Sequence, residues 1–325
     1  MVDLPWNLGI IKWLAAHRIE WLTNIFLVFT FLGDEMGYIL IVISIYWLYS
    51  KRLSVRLVMA VITTTLINHS LKLLIRNPRP FVKEGTYKDN WAISQSNMED
   101  TAHSFSTPSG HAQGSSTFWW YLHLKVKSRL TFVLLPIMIL MIGISRPYLG
   151  VHYVEDVILG WIVGFIIVIF LYRYDELVAT WWNRQSKMIR YVIAIAIPMI
   201  VLLAVGFISG FSSDGTQYIT LAGIFTGVVL GYQLEGDQID FDPSLSAYST
   251  LLQKLGIAIG RLLIGIIIVG LMLVGLDQLF TAIAADDTLV GYVLRWLRYG
   301  LVGFGGTYIA PLVFRAIKLT PQSEA

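Results

Sequence analysis

Ten apolar runs follow one another along this chain, at about 20–33, 37–49, 57–75, 109–124, 130–144, 153–172, 191–208, 218–234, 255–275 and 296–314. Each approaches the ~20 residues that a helix needs to cross the hydrocarbon of a bilayer. Backbone groups in lipid must find their hydrogen bonds within their own segment, so runs of this kind dictate helices. The expected fold is all-α, a polytopic transmembrane helical bundle with both termini inside. Charged residues make up only 14% of the 325, against ~25% in a soluble globular protein. A net charge of +3 without a dense basic cluster speaks against nucleic acid as a partner and leaves membrane lipids as the surroundings. The absence of cysteine excludes disulfides, Cys-ligated zinc and iron–sulfur sites. Asp3 and Pro5 interrupt the first residues, which do not read as a cleaved signal peptide.

Basic residues set the sidedness. Lys51, Arg52 and Arg56, then Lys125, Lys127 and Arg129, the stretch 173–190, and Arg315 with Lys318 all fall on one side of an even-numbered topology. The positive-inside rule makes that side cytoplasmic. The loops 34–36, 76–107, 145–152, 209–217 and 276–292 then face outward, and compact loops point to a bacterial inner membrane with the outer loops on its periplasmic side. Residues 6–19 mix apolar Trp6, Ile10, Ile11, Trp13 and Leu14 with Lys12, His17 and Arg18, as an interfacial helix lying on the bilayer would.

Three polar stretches meet on the outer face by alternation alone. Lys72 lies a turn before the end of the third span, followed by Arg76-Asn77-Pro78-Arg79-Pro80; Thr107-Pro108-Ser109-Gly110-His111 opens the fourth; and Ser145-Arg146-Pro147-Tyr148-Leu149-Gly150-Val151-His152-Tyr153-Val154-Glu155-Asp156 joins the fifth to the sixth. Ionisable groups at a membrane edge are expensive and point to function. Lys72, Arg79 and Arg146 bring three cations together. Ser109 and Gly110 place free N–H groups at a helix N-terminus, which suits an anion. His152 and Asp156 are four apart, so a helix already begun at His152 puts them on one face, where a carboxylate holds the imidazole's tautomer. With His111 beside them, the ligand implied is a phosphate, served by one nucleophile and one acid. The cluster is cationic, and Asp156 is the one carboxylate committed to it, so a site without metal or other cofactor is expected.

Lys72-x6-Arg79-Pro80, Pro108-Ser109-Gly110-His111 and Ser145-Arg146-x5-His152-x3-Asp156 resemble the three signature motifs of the type 2 phosphatidic acid phosphatase (PAP2) superfamily, complete and in order. Phe31-Leu32-Gly33, Tyr148-Leu149-Gly150-Val151-His152 and the extra C-terminal spans resemble the sphingosine-1-phosphate phosphatase-like branch. The resemblance covers about 20–172 and implies a six-helix PAP2-like core there; hydropathy and charge add an interfacial helix at 1–19, a basic cytoplasmic linker at 173–190 and a transmembrane extension at 191–325 with about four more helices. It implies that His152 is the nucleophile forming a phosphohistidine, that Asp156 orients it, and that His111 is the general acid. Lys72, Arg79, Ser109, Gly110 and Arg146 would bind the phosphoryl oxygens, and no metal would be needed. The activity implied is hydrolysis of the terminal phosphate of a lipid phosphate or diphosphate. A phosphotransferase passing the group to another hydroxyl, and a lipid transporter retaining a phosphate cradle, are the alternatives.

Other residues carry blander expectations. His103 reads as a solvated loop residue, His69 as helix packing or support for Lys72, and His123 as interfacial. Arg76 touches substrate or snorkels. Phe118, Trp119 and Trp120 read as lipid anchors or packing, Gly300–Gly306 as close helix packing, and Asp277, Asp286 and Asp287 as solvated loop charges. The last four spans leave three tasks open: shaping a lateral opening for acyl chains, forming a homo-oligomer, or moving lipid.

Overall fold

The computed structural model describes residues 4–83 and 104–320; His103 lies outside them. Every element among the described residues is helical. In chain order these are α1 (Gly9–Ala16), α2 (Glu20–Leu32), α3 (Glu35–Leu48), α4 (Lys51–Ile75), α5 (Pro80–Lys83), α6 (Gly110–Val126), α7 (Arg129–Tyr148), α8 (Val154–Arg184), α9 (Lys187–Ser209), α10 (Thr216–Gln238), α11 (Leu251–Thr281), α12 (Leu289–Phe304) and α13 (Ala310–Ala316). The chain forms two compact units, Met1–Leu40 with Ala60–Glu176 and Ile41–Met59 with Leu177–Ala325.

Among the described residues, six helices are long and apolar enough to cross a membrane alone, or up to seven spans if α2 and α3 act as one. That is fewer than the ten expected, for local reasons. The first two expected spans are half-length helices of 13 and 14 residues that meet at 61°. Thirteen residues rise only ~20 Å, short of a ~30 Å hydrocarbon layer, and the polar Gly33-Asp34 pair sits at the break. The fourth, α6, is 17 residues long and polar. Its Gln113, Ser115, Ser116 and Thr117 are buried and satisfied: Gln113 Nε2 donates to Thr64 O at 2.8 Å, Thr117 Oγ1 meets Thr64 Oγ1 at 3.0 Å, Ser116 Oγ donates to Trp161 O at 3.0 Å, and Ser115 Oγ returns to Ala112 O of the same helix at 3.0 Å. Such a helix is shielded by protein rather than lipid.

Within the first unit, Ser128 opens α7 with a capping box to Thr131. Opposite it, α8 approaches α6 through glycines. A Cβ on Gly160 would stand 2.7 Å from Ser109 O, and one on Gly164 would stand 2.5 Å from Gln113 O. The expected interfacial helix is the short α1, and it does not lie free. Ile11 is wholly buried in an apolar cluster with Phe26, Phe81, Tyr148, Leu149, Val151 and Tyr153, while Ile10 and Trp13 stay exposed. Phe118 and Trp119 are packing residues, the first against Tyr38. His123 ties the α6–α7 turn through Thr131 Oγ1 at 2.9 Å. Residues 173–184, expected in a linker, continue α8, so the break before α9 is only a two-residue interval.

In the second unit α10 packs on α12 with glycine against backbone: Gly223 faces Trp296 O, Gly227 faces Gly300 O, and Gly303 faces Ile224 O. A π-helical turn at Gly305–Ile309 presents Gly306 O and Thr307 O to Trp47 Nε1 (2.9 Å) and Tyr46 Oη (3.1 Å). Glu235 is a buried residue of α10 paired with Lys51 Nζ at 3.0 Å. Asp277 and Asp286 are not free loop charges. They pair with Arg298 and Arg295 of α12.

Candidate active site

The site lies in the first unit. Its floor is made where α6, α7 and α8 come together. The Thr107–Pro108 bond is cis, and Ser109 caps α6, its Oγ accepting from Ala112 N. Ser109 N donates to Asp156 O at 3.0 Å, tying the start of α6 to the first turn of α8. Gly110 leaves room for Asn68, whose Oδ1 would lie 3.1 Å from a Cβ there. Asn68 gives polar support on this side, donating to Pro108 O and to Gln113 Oε1.

Two helix boundaries differ from expectation. Arg146 is the last basic residue of α7, inside the helix rather than in a loop. The chain then reverses at Gly150, whose φ of +79° suits a residue without Cβ. The next helix starts at Val154, two residues after His152, so the pair at 152 and 156 does not share a helical face. Asp156 instead folds back over the first turn and accepts from Tyr153 N at 2.9 Å, in the manner of a cap. Its Oδ2 also receives Ser106 Oγ at 2.5 Å and lies 3.3 Å from His152 Nδ1. Its Oδ1 receives Thr107 Oγ1 at 2.6 Å. Asn77 Nδ2 in turn donates to Thr107 Oγ1 at 3.0 Å. The carboxylate is fully buried yet satisfied on both oxygens.

This network assigns the proton of His152 to Nδ1 and leaves the lone pair on Nε2. Arg79 Nη1 stands 3.2 Å from that Nε2 and donates to Val151 O at 3.0 Å. Arg79 is held at its other edge by Ser104, through O at 2.7 Å and Oγ at 2.6 Å. Lys72 Nζ reaches the same Ser104 Oγ at 3.4 Å. Arg146 Nη1 donates to Thr30 Oγ1 at 3.0 Å, while its buried Nε has no partner among the described residues. His111 stands within 3.9 Å of Asp34. Burial first, then Arg79, Arg146, Lys72 and His111, push the His152 imidazole well below its ordinary value. A neutral imidazole among cations, with an unsatisfied guanidinium N–H nearby, is an arrangement that suits an anion.

The expected residues Lys72, Arg79, Ser109, Gly110, His111, Arg146, His152 and Asp156 thus belong to one neighbourhood. Arg76 does not join them; it adopts φ of +52° and its Nε returns to Leu73 O at 2.8 Å, closing its own helix end. Glu155 also turns away, its Oε1 accepting from Asn7 N at 3.4 Å. Sequence reasoning missed Ser104, Ser106, Asn77 and Thr30. Asn77 stands inside a quoted stretch and Ser106 beside one, but nothing in the spacing tells which hydroxyl or amide turns inward. Among the described residues no three His, Asp or Glu side chains gather as a metal site.

The chain is similar to known proteins along most of its length. Residues 53–178 match the model of the PAP2 superfamily, and residues 219–323 match that of the PAP2 superfamily phosphatase transmembrane extension. The sphingosine-1-phosphate phosphatase 1 of Mus musculus is 23% identical over 320 residues, covering 90% of this chain and 71% of its own length. The phosphatidylglycerophosphatase B of Bacillus subtilis is 32% identical over 82 residues, covering 22% of this chain and 40% of its own. A solved structure of a transmembrane PAP2-type phosphatidylglycerolphosphate phosphatase from Bacillus subtilis is 24% identical and covers 52% of this chain and 84% of its own, with a TM-score of 0.41. With the domain and its transmembrane extension both present, in order and in one chain, this integral-membrane protein belongs to the PAP2 superfamily of phosphatases.

Proposed function

We propose that the chain hydrolyses the terminal phosphate of a lipid phosphate or diphosphate, with His152 as nucleophile. One observation carries the reading: a neutral imidazole whose Nδ1 is held by a fully satisfied carboxylate presents its Nε2 among three buried cations. Phosphate ester hydrolysis has an extreme uncatalysed barrier. It is lowered by charge stabilisation on the equatorial oxygens and by an in-line nucleophile. Lys72, Arg79 and Arg146 supply the first, with the Gly110 N–H at the start of α6; the Ser109 N–H, expected to help, is already given to Asp156 O. His152 Nε2 supplies the second. As its bond to phosphorus forms, the bond to the lipid oxygen breaks and His111 gives that oxygen a proton. Water then attacks the phosphohistidine, its proton passing to His111, and inorganic phosphate and neutral His152 are regenerated. Asp156 stabilises the positive charge that the imidazole gains in the first step. Because cations already surround the phosphoryl group, the chemistry draws on protein charge and needs no metal.

The anionic head must arrive at the end of the helices opposite the Lys125, Lys127 and Arg129 turn between α6 and α7. The positive-inside rule places that end on the extracytoplasmic side, which in a bacterial inner membrane is the periplasmic side. The named activities of the mouse and Bacillus relatives make sphingoid phosphates and phosphatidylglycerophosphate the first substrates to try. The test is phosphate release by detergent-purified protein from a lipid phosphate panel with chelator present. Release should be robust in the wild type and absent in His152→Ala. Full activity in that variant ends the proposal.

A further inference from the structure

The break between α2 and α3 has a chemical consequence. The two helices meet at 61° rather than running on as one. Gly33 closes α2 against the first turn of α6: a Cβ on it would collide with Ile142 and lie 3.4 Å from His111 Cδ2. The next residue, Asp34, then brings Oδ1 within 3.9 Å of His111 Nε2.

His111 has the harder electrostatic task of the two imidazoles. A proton donor must carry its proton when the lipid oxygen leaves. The neighbouring cations oppose that charge. Arg146 from α7, Lys72 from α4 and Arg79 ahead of α5 all act on it, His152 faces it from the α7–α8 connection, and the N-terminus of α6 adds a positive dipole. Asp156 is fully engaged with Ser106, Thr107, Tyr153 N and His152. Glu35 acts on Lys72. Asp34 is the carboxylate in ion-pair reach of His111 among the described residues, and its field also reaches Arg146.

We propose that Asp34 is a positioning residue for the proton-donating step: delivered by the α2–α3 break, its carboxylate holds the His111 imidazole in place and stabilises it as imidazolium until the leaving oxygen takes the proton. This rests on the reading of His111 as the acid. The balance is simple. The P–Nε2 bond to His152 forms, the P–O bond breaks, the His111 proton moves to the departing oxygen, and Asp34 exchanges no proton in the step. Its half-exposed position makes it a substitution that spares the core.

The experiment compares wild type, Asp34→Asn, Asp34→Glu and His111→Ala on two monoesters: a short-chain phosphatidate, whose alkoxide needs a proton, and 4-nitrophenyl phosphate, whose phenolate does not. Asp34→Asn should lose on the order of tenfold in kcat on the phosphatidate, part of the 10²–10⁴-fold typical of acid catalysis, and stay near wild type on the aryl ester. The basic limb of its kcat profile should move down by roughly one pH unit, as expected for losing a charge about 4 Å away in a solvated setting. Asp34→Glu should restore most of both. Equal losses on the two esters with an unmoved limb, or no loss at all, overturn the role of Asp34. If His111→Ala itself keeps full activity on the phosphatidate, the underlying acid assignment fails instead.

Discussion

Replacing Thr107 by valine removes one hydroxyl from the wall of the site and changes the shape little. That hydroxyl is the partner of Asp156 Oδ1, at 2.6 Å, and it also accepts from Asn77 Nδ2 at 3.0 Å. The other carboxylate oxygen has three neighbours, Ser106 Oγ, Tyr153 N and His152 Nδ1. Valine therefore leaves Oδ1 bare in a position with no solvent exposure. A hydrogen bond to a buried charge contributes roughly 1.5–3 kcal/mol, and the amide left behind adds a smaller loss, so stability should fall by about 2–4 kcal/mol. Asp156 can recover by turning Oδ1 toward a remaining donor, which withdraws Oδ2 from His152. A loss of about 1.4–2.7 kcal/mol in that contact is a 10- to 100-fold drop in kcat. Phosphate release from a lipid phosphate in detergent gives the rate, and thermal unfolding of the same preparation gives the stability. Thr107→Ser, which keeps the hydroxyl, should recover both. A Thr107→Val protein with wild-type kcat and an unchanged unfolding midpoint refutes the clamp.

Other perturbations separate the site from its scaffold. Gly160→Ala should cost about 1–3 kcal/mol, because the new Cβ meets Ser109 O at 2.7 Å and must push α8 off α6; its unfolding midpoint and kcat should fall together, and a silent substitution would mean that the contact is slack. The neutral His152 has its folded-state pKa below its unfolded one, so its contribution to stability is complete above the ordinary imidazole value of ~6.5. That contribution is lost as pH falls below it toward the folded-state value. His152→Gln should flatten the pH dependence of unfolding across that window, and an unaltered slope would remove His152 as its source. Glu235→Gln breaks the Lys51 pair in the second unit. Unfolding should show a loss on the order of 1–3 kcal/mol with kcat on a water-soluble phosphate ester unchanged; a fall in kcat without a fall in stability would contradict a purely structural role.

The gross fold was legible because lipid leaves a chain so few options. Long apolar runs such as 191–208 and 255–275 reappear as α9 and α11, lengthened at both ends. The misreadings have a common origin, since hydropathy reports composition and not surroundings. Residues 20–49 are apolar enough for two spans but break at Gly33-Asp34, and α6 is polar yet enclosed because Thr64 and Trp161 satisfy its side chains. The neighbourhood of the site followed from alternation of the helices, which needs only their order. What spacing could not give is the mode of contact between His152 and Asp156. The four-residue interval suggested one helical face, whereas the helix starts at Val154 and the carboxylate reaches back as a cap. Ser106 and Thr107 were opaque for the same reason: a hydroxyl in a loop turns inward only when a buried charge asks for it.

The stereochemical course at phosphorus tests the central claim most directly. A substrate with a terminal thiophosphate made chiral by oxygen isotopes can be turned over in labelled water and the product's configuration read. Attack by His152 followed by attack of water is two inversions, so net retention is predicted. Net inversion would mean that water displaces the lipid in one step, and the phosphohistidine would be wrong.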